Sequence, residues 1–228
     1  MKNQQAGAPR PKSHAVSQKL TAKPAMLMLH AGPLSNGTGP DPLAPLTVIC
    51  VPNVYEGLRK AADDRLLVPV FDAAGDLQSI QFIAADATKR FLPGGRMAGG
   101  RCWLGEPGPV GPLVLCEGFA TGASIRGATG WPACVAFSAG NLQRVAESVR
   151  RQYPAAEIFV AADDDHRTEG NPGATKGAEA AAAIKGKLIV PAFGADRPED
   201  ATDFNDLARL RGEDAVRRSF LAGTWPGE

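Results

Sequence analysis

Two short apolar runs that stop abruptly in acids constrain this chain most. Leu113-Val114-Leu115-Cys116 runs into Glu117-Gly118, and Ile158-Phe159-Val160-Ala161-Ala162 runs into Asp163-Asp164-Asp165. Four or five apolar residues rich in β-branched side chains and bounded by turn signals predict a strand buried on both faces, the kind that builds a parallel sheet. The acids then fall at strand C-termini, the edge of an open α/β sheet where successive loops converge on a ligand. Glu117, Asp163 and Asp165 are placed to meet in that crevice. Three carboxylates there raise each other's pKa unless a cation stands between them. Oxygen ligands without flanking His or Cys favour Mg²⁺ or Mn²⁺ over Zn²⁺, and Mg²⁺ bound by few carboxylates takes substrate phosphates as further ligands. The residues therefore point to phosphoryl chemistry.

The chain between and beyond the two runs alternates in the same way. Gly118 to Ile125 reads as a short helix whose N-terminus adds positive potential beside Glu117. Pro132-Ala133-Cys134-Val135-Ala136-Phe137 reads as a strand, with Ser138 to Asn141 as the loop at its functional edge. Leu142, Val145, Ala146, Val149 and Tyr153 share one helical face and predict a helix packed on the sheet, leaving Arg144, Arg150 and Arg151 in solvent. An Ala-rich helix through Ile184, a strand over Lys187 to Pro191 and a terminal amphipathic helix over Asp214 to Leu221 follow. In an extended Asp163-Asp164-Asp165 run the middle residue points away from its neighbours. His166 reads as a hydrogen-bonded neighbour of the acids rather than a ligand.

At these residues the sequence resembles the Toprim domain, the metal-binding fold shared by bacterial-type DNA primases, topoisomerases and some nucleases. That family places a Glu-Gly at the end of one strand and an Asp-x-Asp at the end of a later one, here Glu117-Gly118 and Asp163-x-Asp165. In its primase members a Gly-containing turn and a basic residue follow the Asp-x-Asp, a role the resemblance gives to Lys176. A later acidic stretch completes their site. Asp203, in Asp203-Phe204-Asn205-Asp206, is its best counterpart, although it also suits the N-cap of the helix that follows.

The part before Gly111 is of another kind. Leu66 to Phe71 and Leu77 to Ile83, joined by Asp72-Ala73-Ala74-Gly75-Asp76, read as a β-hairpin. Lys89, Arg90, Arg96 and Arg101 then cluster among Gly94, Gly95, Gly99 and Gly100, where backbone can approach phosphates and Arg can grip them in bidentate fashion. We read the four cations as a nucleic-acid or nucleotide contact. The hairpin and the basic stretch are similar to the segment that precedes the metal-binding fold in primases. No G-x-x-x-x-G-K-[ST] pattern is present, so this is no P-loop. Net charge is only +1, so any affinity for nucleic acid has to be local. The cysteines Cys50, Cys102, Cys116 and Cys134 lack metal or redox spacing and read as reduced core residues.

The expected organisation is a flexible, basic, Pro/Gly-rich tail over 1–47, a partial primase-like subdomain over 48–110, and a Toprim-like domain with C-terminal helices over 111–228. Order begins near Leu46 to Val51 or at the helical-looking Val54 to Asp63. The fold class is α/β, a mostly parallel sheet flanked by helices and preceded by a small β-rich subdomain. The tail's one apolar cluster, Met26 to Leu29, is too short for a membrane span or signal core, so a cytoplasmic protein is expected. The resemblance implies a DNA primase of plasmids, phages or mobile elements: Mg²⁺ or Mn²⁺ held by Glu117, Asp163 and Asp165 with Asp203, a single-stranded DNA template, ribonucleotides, and a helicase or other replication subunit as partner. No zinc-binding domain is recognisable ahead of the core, which implies dependence on further parts or a partner. A Toprim nuclease and a non-catalytic DNA-binding replication module are the alternatives. A topoisomerase would need Tyr55 or Tyr153 as nucleophile, and neither is suitably placed.

Overall fold

The computed structural model describes residues 65–221 and a short antiparallel pair, β1 (Met28–His30) with β2 (Thr47–Ile49). Strand β1 falls inside the segment expected as a tail. The remainder of that expectation, the helical reading of Val54 to Asp63 and Cys50 lie outside the described residues.

The hairpin forms as its pattern predicts. β3 (Leu66–Phe71) pairs antiparallel with β4 (Leu77–Ile83), with an irregularity at Val70/Phe71. The turn is stabilised by Asp72, whose carboxylate accepts the amides of Ala74 and Asp76. A third strand, β5 (Lys89–Phe91), adds to the far side of β4. The chain then crosses into the larger sheet at β6 (Cys102–Leu104), and an isolated bridge between Phe71 and Arg101 joins the two sheets.

The larger sheet contains β7 (Pro112–Cys116), β8 (Ala133–Val135), β9 (Glu157–Ala161) and β10 (Lys187–Ile189) in the order β10-β9-β7-β8-β6. All neighbours are parallel except β6, which runs antiparallel along the β8 edge. The helices are α1 (Phe119–Thr129), α2 (Ala139–Gln152), α3 (Pro172–Ala183), α4 (Phe204–Arg211) and α5 (Glu213–Leu221).

The central strands β7, β8 and β9 are almost wholly apolar because both faces are covered. Along β7, Leu113 and Leu115 join one core with Cys134, Ile158 and Val160. Leu142, Val145, Ala146 and Val149 of α2 and Ala180 and Ala181 of α3 pack onto that face. Val114 and Cys116 face the other core, which takes Phe119 and Ile125 of α1, Phe204 and Leu207 of α4, and Val216 and Phe220 of α5. The helical face read from Leu142 onward is thus the buried one, and Tyr153 completes it edge-on to Trp103 at 5.9 Å. On the opposite face Phe220 stacks near Phe204 (5.2 Å) and Phe159 (6.1 Å), which pins α4 and α5 to the sheet. The Ala-rich α3 lies close to β9: a Cβ on Gly177 would sit 2.3 Å from that of Ala162. Cys102, Cys116 and Cys134 are buried, and burial pushes the Cys134 thiol up to about 12. Among the described residues no helix is long and apolar enough to cross a membrane.

Candidate metal and nucleotide site

Parallel pairing of β7 with β9 places Cys116 level with Ala161, so Glu117 and the Asp163 turn leave the sheet side by side. Glu117 is half-buried beside the start of α2. A hydrogen bond from the Ala139 amide favours its charged form, yet burial and the charge of Asp165 raise its pKa above the ordinary carboxylate value. Its Oε1 is buried without a hydrogen-bond partner.

Asp163 is the more strained group. Its Oδ1 is also buried and unpartnered, and burial followed by the charges of Glu117, Asp203 and Asp165 pushes its pKa up to about 8. Asp165 lies at the N-terminus of α3, where its Oδ2 accepts the Gly173 amide at 3.0 Å. This approach needs a glycine: a Cβ at position 173 would stand 2.5 Å from the Asp163 carbonyl oxygen and 2.9 Å from Asp165 Oδ2. Asp164 turns away from the crevice and pairs with Arg197.

Asp203 fills the helix-capping role its sequence allowed. Oδ1 accepts the Asp206 amide at 2.8 Å in a capping box at the start of α4, while Oδ2 accepts the Thr121 hydroxyl of α1 at 2.8 Å. It is nevertheless close enough to Asp163 to raise that residue's pKa.

The cation that reaches these acids comes from the small sheet. Lys89 of β5 favours the charged forms of both Glu117 and Asp163, and its Nζ lies 4.0 Å from where a side chain on Gly118 would begin. The ring of Phe91, two residues on, meets Phe137 edge-on at 5.9 Å. Phe137 closes the β8 edge with φ of 69°, a left-handed conformation that costs a non-glycine residue roughly 1–2 kcal/mol, and its amide donates to the Glu117 carbonyl at 2.8 Å. Strained backbone thus joins the basic strand to the acidic loop.

Arg90 and Arg96 are on the surface or close to it and make no ion pair with the described residues. One expectation needs correction. Arg101 is 5 % exposed, and its guanidinium donates to Ser148 and Gln152 of α2, so it stitches the two sheets together instead of facing nucleic acid. Its position beside Gly99 and Gly100 made it look like a member of the cluster, but the bridge to Phe71 turns it inward. Lys176 is exposed and pairs with Glu179 on its own helix at 2.7 Å, and the basic residue that acts on Glu117 and Asp163 is Lys89. His166 is exposed, with Nδ1 3.4 Å from the Asp164 carbonyl.

Sequence reasoning passes over Thr121, Asn171 and Arg197. Thr121 carries one signal, since it lies one helical turn after Glu117. Arg197 sits in an irregular segment where no periodicity marks it.

Among the described residues no three His, Cys, Asp or Glu side chains are already converged into a coordination shell. The unpartnered oxygens of Glu117 and Asp163, in a crevice with two more carboxylates and Lys89 for compensation, are what a divalent cation would satisfy. The donor set fits a hard ion.

Residues 112–214 match the family described as Toprim domain. Two curated relatives, both DNA primase TraC from Escherichia coli, are 40% identical over 133 residues and 37% identical over 156 residues. Those alignments cover 55% and 63% of this chain but 12% and 10% of the relatives, so the chain spans about a tenth of their length. Among solved structures, the primase fragment of the bacteriophage T7 primase-helicase aligns at 16% identity and TM-score 0.46, covering 70% of this chain and 62% of that one. The RNA polymerase domain of Mycobacterium tuberculosis primase DnaG aligns at 17% identity and TM-score 0.46, covering 67% and 53%.

Proposed function

We propose, from the match of residues 112–214 to the Toprim domain family, that this chain is the catalytic core of a mobile-element DNA primase, joining ribonucleotides into short RNA primers on single-stranded DNA. One observation carries the reading: Glu117 Oε1 and Asp163 Oδ1 are buried without partners, in a crevice where burial and neighbouring carboxylates raise the pKa of both groups. That arrangement is unfavourable on its own and favourable around a cation.

Glu117, Asp163 and Asp165 would hold Mg²⁺ or Mn²⁺, with Asp203 near enough to share its charge. When bound, the ion neutralises these acids and draws electron density from a nucleotide's phosphates. The chain's own residues do the rest. Lys89 sets a positive charge beside the acids that could also meet a nucleotide's phosphates. Arg90 and Arg96, on and after β5, hold template phosphates. The Gly173 amide fixes the direction of the Asp165 carboxylate by donating one hydrogen bond to Oδ2. Burial by α1 and α2 lowers the local dielectric and strengthens each of these interactions.

A helicase or another replication subunit would be the partner, and the setting would be the cytoplasm. The test is to incubate the protein with single-stranded DNA, labelled ribonucleotides and Mg²⁺. Lengthening oligomers that disappear with Asp165→Asn support the proposal. Shortening DNA would instead show that the same carboxylates serve a nuclease, and retained DNA binding without either product would leave a replication accessory module.

A further inference from the structure

Asp164 stands between two residues of the acidic crevice, and every polar atom it has is engaged on the other side. Its Oδ2 accepts from Arg197 Nη1 at 2.5 Å and its Oδ1 from Asn171 Nδ2 at 2.6 Å. Its carbonyl accepts from Arg197 Nη2 at 2.8 Å and its amide donates to the Thr202 carbonyl at 2.8 Å. The same guanidinium donates through Nε and Nη2 to the Ala201 carbonyl, at 2.8 and 2.7 Å, and lies 4.6 Å from the centre of the Phe193 ring. The side chains of Arg197 and Asp164 are only 18% and 24% exposed. One planar fork therefore grips the Asp-x-Asp turn and the irregular segment after β10 at once, a task suited to guanidinium and not to ammonium.

We propose that Arg197 is a positioning residue for the cation site: by fixing the peptide planes on either side of Asp164 it sets the directions of Asp163 and Asp165, and by holding Ala201 it delivers Asp203 to them. The inference rests on the reading of these carboxylates as a cation site. A purely structural tether would be redundant. The same segment is already held by the buried Phe193 and Ala201, by Arg211 bonding Asp196 and the Phe193 carbonyl, and by the exposed pair of Arg167 with Glu199. Arg197 alone among these touches the Asp-x-Asp backbone. Residues that orient the ligands of a metal commonly matter to affinity nearly as much as the ligands do.

The experiment is Mn²⁺ titration of the full chain by calorimetry, with amide exchange as a second readout. Arg197→Lys keeps the charge and loses the fork. It is expected to weaken Mn²⁺ binding about tenfold or more and to speed exchange over 192–203, while β7 amides stay protected. Arg211→Ala loosens the other tether of the same segment and is expected to speed exchange there with Mn²⁺ affinity close to that of wild type, since its partners lie away from the crevice. Equal Mn²⁺ affinity in Arg197→Lys and wild type would overturn the inference and leave Arg197 a structural tether. A wild-type protein that takes up no Mn²⁺ would instead sink the cation-site reading itself, a failure distinguishable because it appears before any substitution. Should Arg197→Lys not fold, Asp164→Asn, which retains the shape but weakens the grip, is expected to lose affinity severalfold, and unchanged affinity there counts against the inference equally.

Discussion

Replacing Asp163 with Asn should make the metal-free protein more stable near neutral pH, the reverse of what loss of a buried hydrogen-bonding group normally does. The reason is the pKa of Asp163, raised from 3.8 to about 8, first by burial and then by Glu117, Asp203 and Asp165. A full shift of that size, at about 1.4 kcal/mol per unit, sets a ceiling of roughly 6 kcal/mol. The cost is shared with neighbours that readjust when one charge is removed, so about 2 kcal/mol is expected at pH 8. For a domain of this size that corresponds to roughly 4–8 °C in melting temperature. The sign follows from linkage. The raised pKa means that the stabilising contribution of the protonated group is complete below about pH 4 and is lost as pH rises through about 8. Wild type in a chelator should therefore lose melting temperature across that window, Asp163→Asn should lose much less, and saturating Mg²⁺ should flatten the wild-type curve. The assay is thermal unfolding against pH, with and without chelator. If Asp163→Asn melts below wild type at pH 8 in chelator, Asp163 is held by favourable contacts and the electrostatic argument fails.

Three further outcomes are expected. Changing Arg90 and Arg96 together to Ala should weaken single-stranded DNA binding, reduce its salt dependence by about 0.7 in logarithmic slope for each phosphate no longer neutralised, and leave the melting temperature unchanged, as read by fluorescence anisotropy and thermal unfolding. Arg101→Ala should do the opposite, lowering stability by about 1–3 kcal/mol in denaturant unfolding through removal of its bonds to Ser148 and Gln152 while DNA affinity persists. Asp203→Ala should cost about 1 kcal/mol through removal of the helix cap and Asp203→Asn almost nothing; a fall in Mn²⁺ affinity in the Asn variant would then report the carboxylate's charge at the site, separate from its capping role.

Much of this architecture is written in local patterns. The apolar runs of β7 and β9 and the one-sided helix from Leu142 are readable because burial on both faces of a sheet leaves a continuous signal in the chain, and the acids that end those runs inherit their position from them. The hairpin is equally legible, because Asp72 and Gly75 are turn residues between two apolar stretches. What escapes depends on contacts between distant segments. Arg101 and Lys89 look alike in sequence, and only the bridge of Arg101 to Phe71 and the Phe91–Phe137 contact turn one inward and the other toward Glu117. Asp203 suits either ligand or cap from its neighbours alone, and the cap becomes visible through the Asp206 amide. Arg197 is invisible because its partners, Asp164 and Ala201, are joined by a fold-back with no periodicity.

The most direct test of the cation site is the number of protons released when Mn²⁺ binds at pH 7, obtained by calorimetry in buffers of differing ionisation enthalpy. With Asp163 protonated up to about pH 8 in the free protein, an ion held by Glu117, Asp163 and Asp165 must displace that proton, and release of close to one proton per binding event is expected, on the order of the change metal ligation imposes on any protonated ligand. The Glu117→Gln/Asp163→Asn/Asp165→Asn variant should neither bind nor release. Binding without proton release, or equal binding by the triple variant, would show that the ion sits elsewhere and would contradict the account.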